Sequence, residues 1–286
     1  LELGLVYAGL GSEVTVVEFM PDLLFGADPD LVKPVLKHCE QEFAGILTES
    51  KVVAVEQLER GYGVTIEQNG ETRTLEADRV LVSIGRQPNT DDLGLERAGL
   101  EADAHGYLQT DEQCRTQAPH IYAIGDVAPG PMLAHKASRE AKVAAEVIAE
   151  HPAAFDNRAV PAVVFTSPEI AWAGLTEREA ADAERPVTVG SFPLRALGRA
   201  RTLGRTDGLV KVIADPETQL VLGVGMVGPQ ASDLIAEGAL AIEMGATLED
   251  LMVTIHPHPT LSEAVMEAAE VAAGAAVHLP PKRKAR

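Results

Sequence analysis

The sequence predicts α/β architecture in its front part and α+β architecture in its back part, and three observations carry that expectation. Continuous apolar runs such as Val14–Val17 have the texture of strands buried on both faces, and helical segments lie between them. Between residues 51 and 75 the pattern switches to alternation around Asn69-Gly70, which marks a small antiparallel insert. Beyond residue 158, strand candidates lie together with helices assigned to one face, the pattern of an α+β layer.

Taken in order, Leu1–Leu10 is apolar with Gly4 and Gly9 inside it, as expected of a helix packed closely on a sheet. Gly11-Ser12 breaks it, and the strand Val14–Val17 ends at Glu18. Asp28–Glu42 is expected to be helical, and Lys51–Gln57, Gly63–Gln68 and Glu71–Leu75 to be antiparallel strands. Asp78–Ile84 is expected to form a further strand, closed by Gly85-Arg86-Gln87-Pro88-Asn89. A loop-rich stretch follows, with a strand Ile121–Val127 ending in Gly125-Asp126 and an alanine-rich helix Ala134–Glu150. Asn157–Pro161 is a linker. After it come strands Ala162–Phe165, Val187–Phe192, Leu209–Ala214 and Leu220–Val227, with helices at Thr176–Asp182, Ala231–Met244 and after His258. This gives three regions: 1–89, 90–157 and 158–286.

Charge and cysteine usage narrow the function classes. A net charge of −19 argues against nucleic acid as a partner, because binding phosphates needs local positive charge. The basic tail Pro280–Arg286 is short, and fraying is its expected state. No apolar run is long enough to cross a bilayer and no signal peptide is visible; the chain starts with Leu, so an N-terminal truncation is expected. Cys39 and Cys114 are the only cysteines and form no Cys-x-x-Cys pair. A reducing, cytoplasmic setting is therefore expected, with no local redox pair.

The most informative stretch is His256-Pro257-His258-Pro259-Thr260-Leu261-Ser262-Glu263. Proline suits a first helical position, so a helix from Pro259 to Ala273 is expected, with His258 at its mouth and Glu263 in its early turns. From there Glu263 can reach back to one ring nitrogen and leave the other facing outward, the arrangement of a general base and its orienting acid. An ordinary surface histidine is the competing reading. A metal site has little support, since no further ligands follow at a recognisable spacing. Two other acids invite attention. Glu18, after a buried strand, stands where a dinucleotide-binding fold places the acid that accepts hydrogen bonds from the adenosine ribose and selects NAD. Asp126 is either a helix cap or a carboxylate approaching a ligand hydroxyl.

The segment His256–Glu263 resembles the C-terminal signature of the dihydrolipoamide dehydrogenase family, which are flavin-dependent pyridine nucleotide–disulfide oxidoreductases. Ile84–Asn89 resembles the close of that family's NAD domain. Ile124-Gly125-Asp126 resembles its second flavin motif, and Met132-Leu133-Ala134-His135 the flavin-edge segment after it. Ser167–Ala171 and Gly223–Gly228 resemble its dimerisation domain. The resemblance implies the remainder of a Rossmann-like NAD domain over 1–89, a flavin-contacting segment over 90–157 and a dimerisation domain over 158–286. It implies that FAD and NAD are the cofactors, with His258 as base and Glu263 as its partner. Glu2 would lie near nicotinamide and flavin, Glu18 would hold the ribose, and Gly85 and Arg86 would lie beside the dinucleotide. Asp126 would bind the ribityl chain, and Met132, Leu133, Ala134 and His135 would present backbone to the isoalloxazine.

The implied reaction is oxidation of dihydrolipoamide, carried on the lipoyl domain of an acyltransferase, by a homodimer that passes hydride to NAD. The acyltransferase's basic subunit-binding domain would be a further partner, suited to the acidic charge by electrostatic steering. In the family the redox disulfide, the first FAD motif and the NAD glycine loop precede the part matched here. This chain alone is therefore expected to be inactive. Two alternatives stand beside it: a non-catalytic dimerisation or docking module, and another NAD(P)-linked flavin disulfide reductase.

Overall fold

The computed structural model describes residues 1–280, so the expected fraying of the basic tail falls, from 281 on, outside the described residues. Two compact units form, one from Leu1–Val80 together with the chain from Ala159 on, the other from Leu81–Arg158. Among the described residues no helix is long and apolar enough to cross a membrane.

The first unit begins with α1 (Glu2–Gly9), β1 (Thr15–Val17), α2 (Pro29–Glu42) and β2 (Gly45–Leu47). β1 and β2 run parallel, Thr15 opposite Gly45 and Val17 opposite Leu47, with α2 as the crossover that parallel pairing requires. The antiparallel insert forms as expected: β3 (Ser50–Gln57), β4 (Tyr62–Gln68) and β5 (Glu71–Ala77) lie in that order. Asn69 and Gly70 both take positive φ, 54° and 80°, as a tight hairpin turn needs.

The larger sheet is antiparallel, in the order β6-β7-β10-β9-β8. Its strands are β6 (Ala162–Val164), β7 (Glu169–Gly174), β8 (Thr188–Pro193), β9 (Leu209–Ala214) and β10 (Val221–Gly228). Because side chains alternate between faces, neighbouring residues serve different cores. Ala171, Val210, Val212 and Met226 join a core with α6 (Ala231–Met244), α7 (Leu248–Val253) and α8 (Glu263–Ala273). Ile170, Leu209 and Val227 face the opposite way and pack with Leu31 and Val35 of α2. The helices expected on one face thus cover only one face of the sheet, and α2 packs on the other. Two short helices, α4 (Glu177–Asp182) and α5 (Gly198–Thr202), close the connections around β8.

Buried charge ties α2 to this sheet. The Lys211 ammonium, on β9, lies 2.8 Å from Asp28 and 2.7 Å from Glu177 and also meets Asp30. Burial pulls the lysine's pKa down, but the three carboxylate bonds outweigh it and hold it above the ordinary lysine range. Burial pushes Asp28 up, and Lys211 with the Glu177 and Arg178 amides brings it below the usual aspartate range. These three acids are the described groups that converge as metal ligands would, and the ammonium lies among them.

In the second unit, α3 (Ala134–Ile148) packs Val143, Ala144 and Val147 on Cys114. Two expected strands are not found. Over 78–84 no ladder forms among the described residues, and Ile84 is 95% exposed. Over 121–127 only Tyr122 finds a bridge, to Arg115, before the backbone turns into a 3-10 turn at Gly125–Val127. In both places apolar composition suits a strand, but a strand exists only where a neighbour accepts its hydrogen bonds.

Candidate active site

His258 and Glu263 meet as the motif suggests. His258 Nδ1 lies 2.8 Å from Glu263 Oε1, and the other carboxylate oxygen accepts the Thr260 N–H at 2.8 Å. The local scaffold differs from expectation. The helix begins at Glu263, not Pro259, with Ser262 before it, and the His258-Pro259 bond is cis. Thr260 holds the intervening turn, its hydroxyl donating to the Pro257 carbonyl while its amide serves Glu263. Glu263 is therefore the first helical residue, where the helix dipole favours a negative charge.

Electrostatics assign the tautomer. Partial burial pushes Glu263 up, but the Thr260 amide and the His258 bond more than offset it and hold the carboxyl below its usual range. An ionised carboxylate only accepts, so His258 Nδ1 carries the proton it shares, and in the neutral ring Nε2 is the nitrogen that presents a lone pair. The histidine side chain is 77% exposed, so that lone pair is open to an approaching acid.

Glu18 ends the parallel strand β1, and one of its oxygens accepts the Met20 N–H at 2.8 Å. A carboxylate at the C-terminal edge of a parallel strand suits ligand hydroxyls. Glu2 lies in the first turn of α1 and accepts the Phe165 N–H at 2.6 Å. These two acids, His258 and Glu263 fall in the first unit; the other expected site residues fall in the second.

Within the second unit, Gly125 has a φ of +72°, and a Cβ there would come within 3.1 Å of Ala137 Cβ. Its N–H donates to Glu140 Oε2 at 2.7 Å and its carbonyl accepts from Lys136 Nζ at 3.2 Å. Lys136 and Glu140 are themselves a buried pair, 3.0 Å apart, so α3 pins the turn from beneath. Asp126, next in sequence, is left exposed on a rigid support, an acceptor that fits the hydroxyls of a polyhydroxyl chain. Leu133 precedes α3 without a side-chain cap bond and its own N–H bonds the Pro131 carbonyl at 2.9 Å, so Met132, Leu133, Ala134 and His135 lie at the positive end of the helix. Those features fit a flavin's polar edge. Gly85 takes a φ of +125°, and it and Arg86 are exposed.

Sequence reasoning missed Glu237, which bonds His256 Nε2 at 2.7 Å; a lone acid on the apolar stretch of α6 was the available signal. Both cysteines are buried and free, and burial pushes each thiol up, away from the reactive thiolate.

Comparison with known proteins identifies the family to which these segments belong. Residues 1–141 match the family model described as pyridine nucleotide-disulphide oxidoreductase, and residues 160–269 match its dimerisation domain. A dihydrolipoyl dehydrogenase of Geobacillus stearothermophilus is 48% identical over 282 residues, which is 99% of this chain and 60% of that protein. One of Halobacterium salinarum is 52% identical over 281 residues, 97% of this chain and 59% of that protein. Among solved structures, LpdA of Mycobacterium tuberculosis superposes with a TM-score of 0.87 at 31% identity, covering 94% of this chain and 58% of that one. The HOCl-induced flavoprotein disulfide reductase RclA of Escherichia coli gives 0.84 at 25% identity, covering 94% of this chain and 61% of that one. The chain spans about 60% of the length of the curated relatives it matches.

Proposed function

This chain belongs to the pyridine nucleotide-disulphide oxidoreductase family, and on that premise we propose that it carries the base-donating and cofactor-contacting part of a dihydrolipoamide dehydrogenase. The observation that carries the reading is the 2.8 Å bond between His258 Nδ1 and Glu263, which leaves an open Nε2. The overall reaction takes dihydrolipoamide and NAD⁺ to lipoamide, NADH and a proton. His258 Nε2 accepts a proton from one substrate thiol, and the thiolate so formed is the competent nucleophile. Glu263 holds the ring and stabilises the imidazolium that results. When bound, FAD supplies the electron path between a redox disulfide and NAD.

Glu18 would accept the adenosine ribose hydroxyls. Glu2 would lie near nicotinamide and flavin, and Gly85 and Arg86 would each lie beside the dinucleotide. Asp126 would hold the ribityl chain, and the α3 amides around Met132–His135 would face the flavin edge. The working unit is a homodimer in which His258 serves the partner's site, in a cytoplasmic setting. The lipoyl domain of an acyltransferase brings the substrate, and the same acyltransferase's subunit-binding domain docks on the dimerisation domain. The division into an NAD region over 1–89, a flavin region over 90–157 and an interface region from 158 belongs to this reading.

The test is His258→Gln in the complete enzyme. Lipoamide-linked NADH formation should fall by about 10²–10⁴-fold, the usual worth of a general base, while reduction of ferricyanide by NADH persists. Undiminished lipoamide turnover would remove the assignment. The 286-residue chain alone, whose two thiols are buried and unpaired, should show no NADH formation from dihydrolipoamide.

A further inference from the structure

Between Val253 and Pro259 every residue is exposed except His256, whose side chain is 5% exposed, whereas Ile255 is 94% exposed. The loop that presents His258 therefore has one inward-facing anchor in this stretch. Both of that anchor's ring nitrogens are engaged: Nδ1 lies 2.9 Å from the Thr254 carbonyl oxygen and Nε2 lies 2.7 Å from Glu237 Oε1. A carbonyl only accepts, so Nδ1 carries a proton. The Nε2 contact at 2.7 Å then ties the buried ring to the Glu237 carboxyl group on α6.

Glu237 is presented from a rigid element. Its neighbour Gly238 seats α6 so closely on β10 that an added Cβ would lie 2.8 Å from Val224 Cβ. At the far end of the loop Glu263 is held by α8 and by the Thr260 amide. His258 must meet that fixed carboxylate from a backbone whose inward anchor lies two residues away. Without Glu237, the buried Nε2 would lose its partner and the loop its tie to α6.

We infer that Glu237 is a positioning residue for the base His258, acting through the imidazole of His256. The inference rests on the base role proposed above for His258. A displacement of about 1 Å in a reacting group can cost about 100-fold, so a modest shift of the loop has a large consequence.

The experiment compares Glu237→Ala, Glu237→Asp and His258→Gln in the complete enzyme. Glu237→Ala should lower kcat for lipoamide-linked NADH formation by about 10- to 100-fold. The KM for NAD and the reduction of ferricyanide by NADH should not change, and Glu237→Asp should recover most of the loss. The ¹⁵N ring signals of His258 should show its Nδ1–H bond to Glu263 weakened in Glu237→Ala. Full lipoamide turnover by Glu237→Ala overturns the inference. So does an equal loss of ferricyanide reduction, which would mean general damage to the fold. If His258→Gln keeps lipoamide turnover, the base assignment itself fails, and that outcome is distinct from a silent Glu237→Ala beside an inactive His258→Gln.

Discussion

Two apolar hexapeptides of similar texture, Leu209–Ala214 and Arg79–Ile84, have opposite fates. Leu209–Ala214 forms β9, hydrogen-bonded to β10 on one side and β8 on the other, with α6–α8 on one face and α2 on the other. Val212 and Ala214 are fully buried there. Arg79–Ile84 forms no ladder among the described residues, and Val82 and Ile84 are 68% and 95% exposed. Burying a valine or isoleucine stabilises by about 1.5–3 kcal/mol only if something covers it. The difference therefore lies in the neighbours: composition makes a strand possible, and two paired edges with two covered faces make it real.

The strongest way to break the covered strand is to remove the charge at its centre. Lys211→Met would leave Asp28 buried beside Asp30 and Glu177 with no cation, and should destabilise the chain by about 3–5 kcal/mol in urea unfolding at neutral pH. The pH dependence sharpens the test. Asp28 is lowered, so its contribution is complete above the ordinary aspartate range and is lost as the pH falls through its depressed value. Lys211 is raised, so its contribution is complete below the ordinary lysine range and is lost as the pH rises through its elevated value. The wild-type chain should hold this tie across neutral pH and lose it at both extremes. The Lys211→Met penalty should shrink in acid, where the carboxylates neutralise.

Next in size is Gly190→Ala in β8. An added Cβ would lie 2.0 Å from the Ala268 carbonyl oxygen and 2.3 Å from the Ala272 nitrogen, both backbone atoms of α8 that cannot rotate away. The cost should be about 1–3 kcal/mol in thermal unfolding. Because α8 starts at Glu263, the displaced helix should also loosen the His258 bond. A smaller effect tests local capping just after β7 of the same sheet. Thr176 accepts the Glu179 N–H while Glu179 accepts the Thr176 N–H, so Thr176→Ala should cost about 1 kcal/mol in the same measurement.

How much could be read beforehand follows the range of each interaction. The hairpin at Asn69-Gly70 was legible because its two residues impose their own backbone. The pairing of His258 with Glu263 was legible because five positions of one motif contain it. β7 was missed: its Glu-Ile-Ala-Trp-Ala-Gly run has neither alternation nor a long apolar stretch, and two neighbouring strands define it. The Lys211 cluster joins positions 28, 30, 177 and 211, and Glu237 reaches His256 from a separate helix. No local pattern encodes such pairs, because only the tertiary fold brings them together. Pro259 misled for a related reason: the residue suits a helix start, but the Thr260 bonds make that stretch a turn.

The uncovered hexapeptide supplies the weakest perturbation and the sharpest contrast. Ile84→Ser in the 286-residue chain should change stability by no more than about 0.5 kcal/mol, since a side chain already in water loses no burial. In the complete dehydrogenase proposed above, the same substitution measures whether that segment gains a neighbour. A cost of about 2 kcal/mol or more there would mean that the segment becomes a covered strand like β9. An equally small cost in both contexts would mean that Arg79–Ile84 is a surface connection despite its apolar sequence, and that its texture is no guide to pairing.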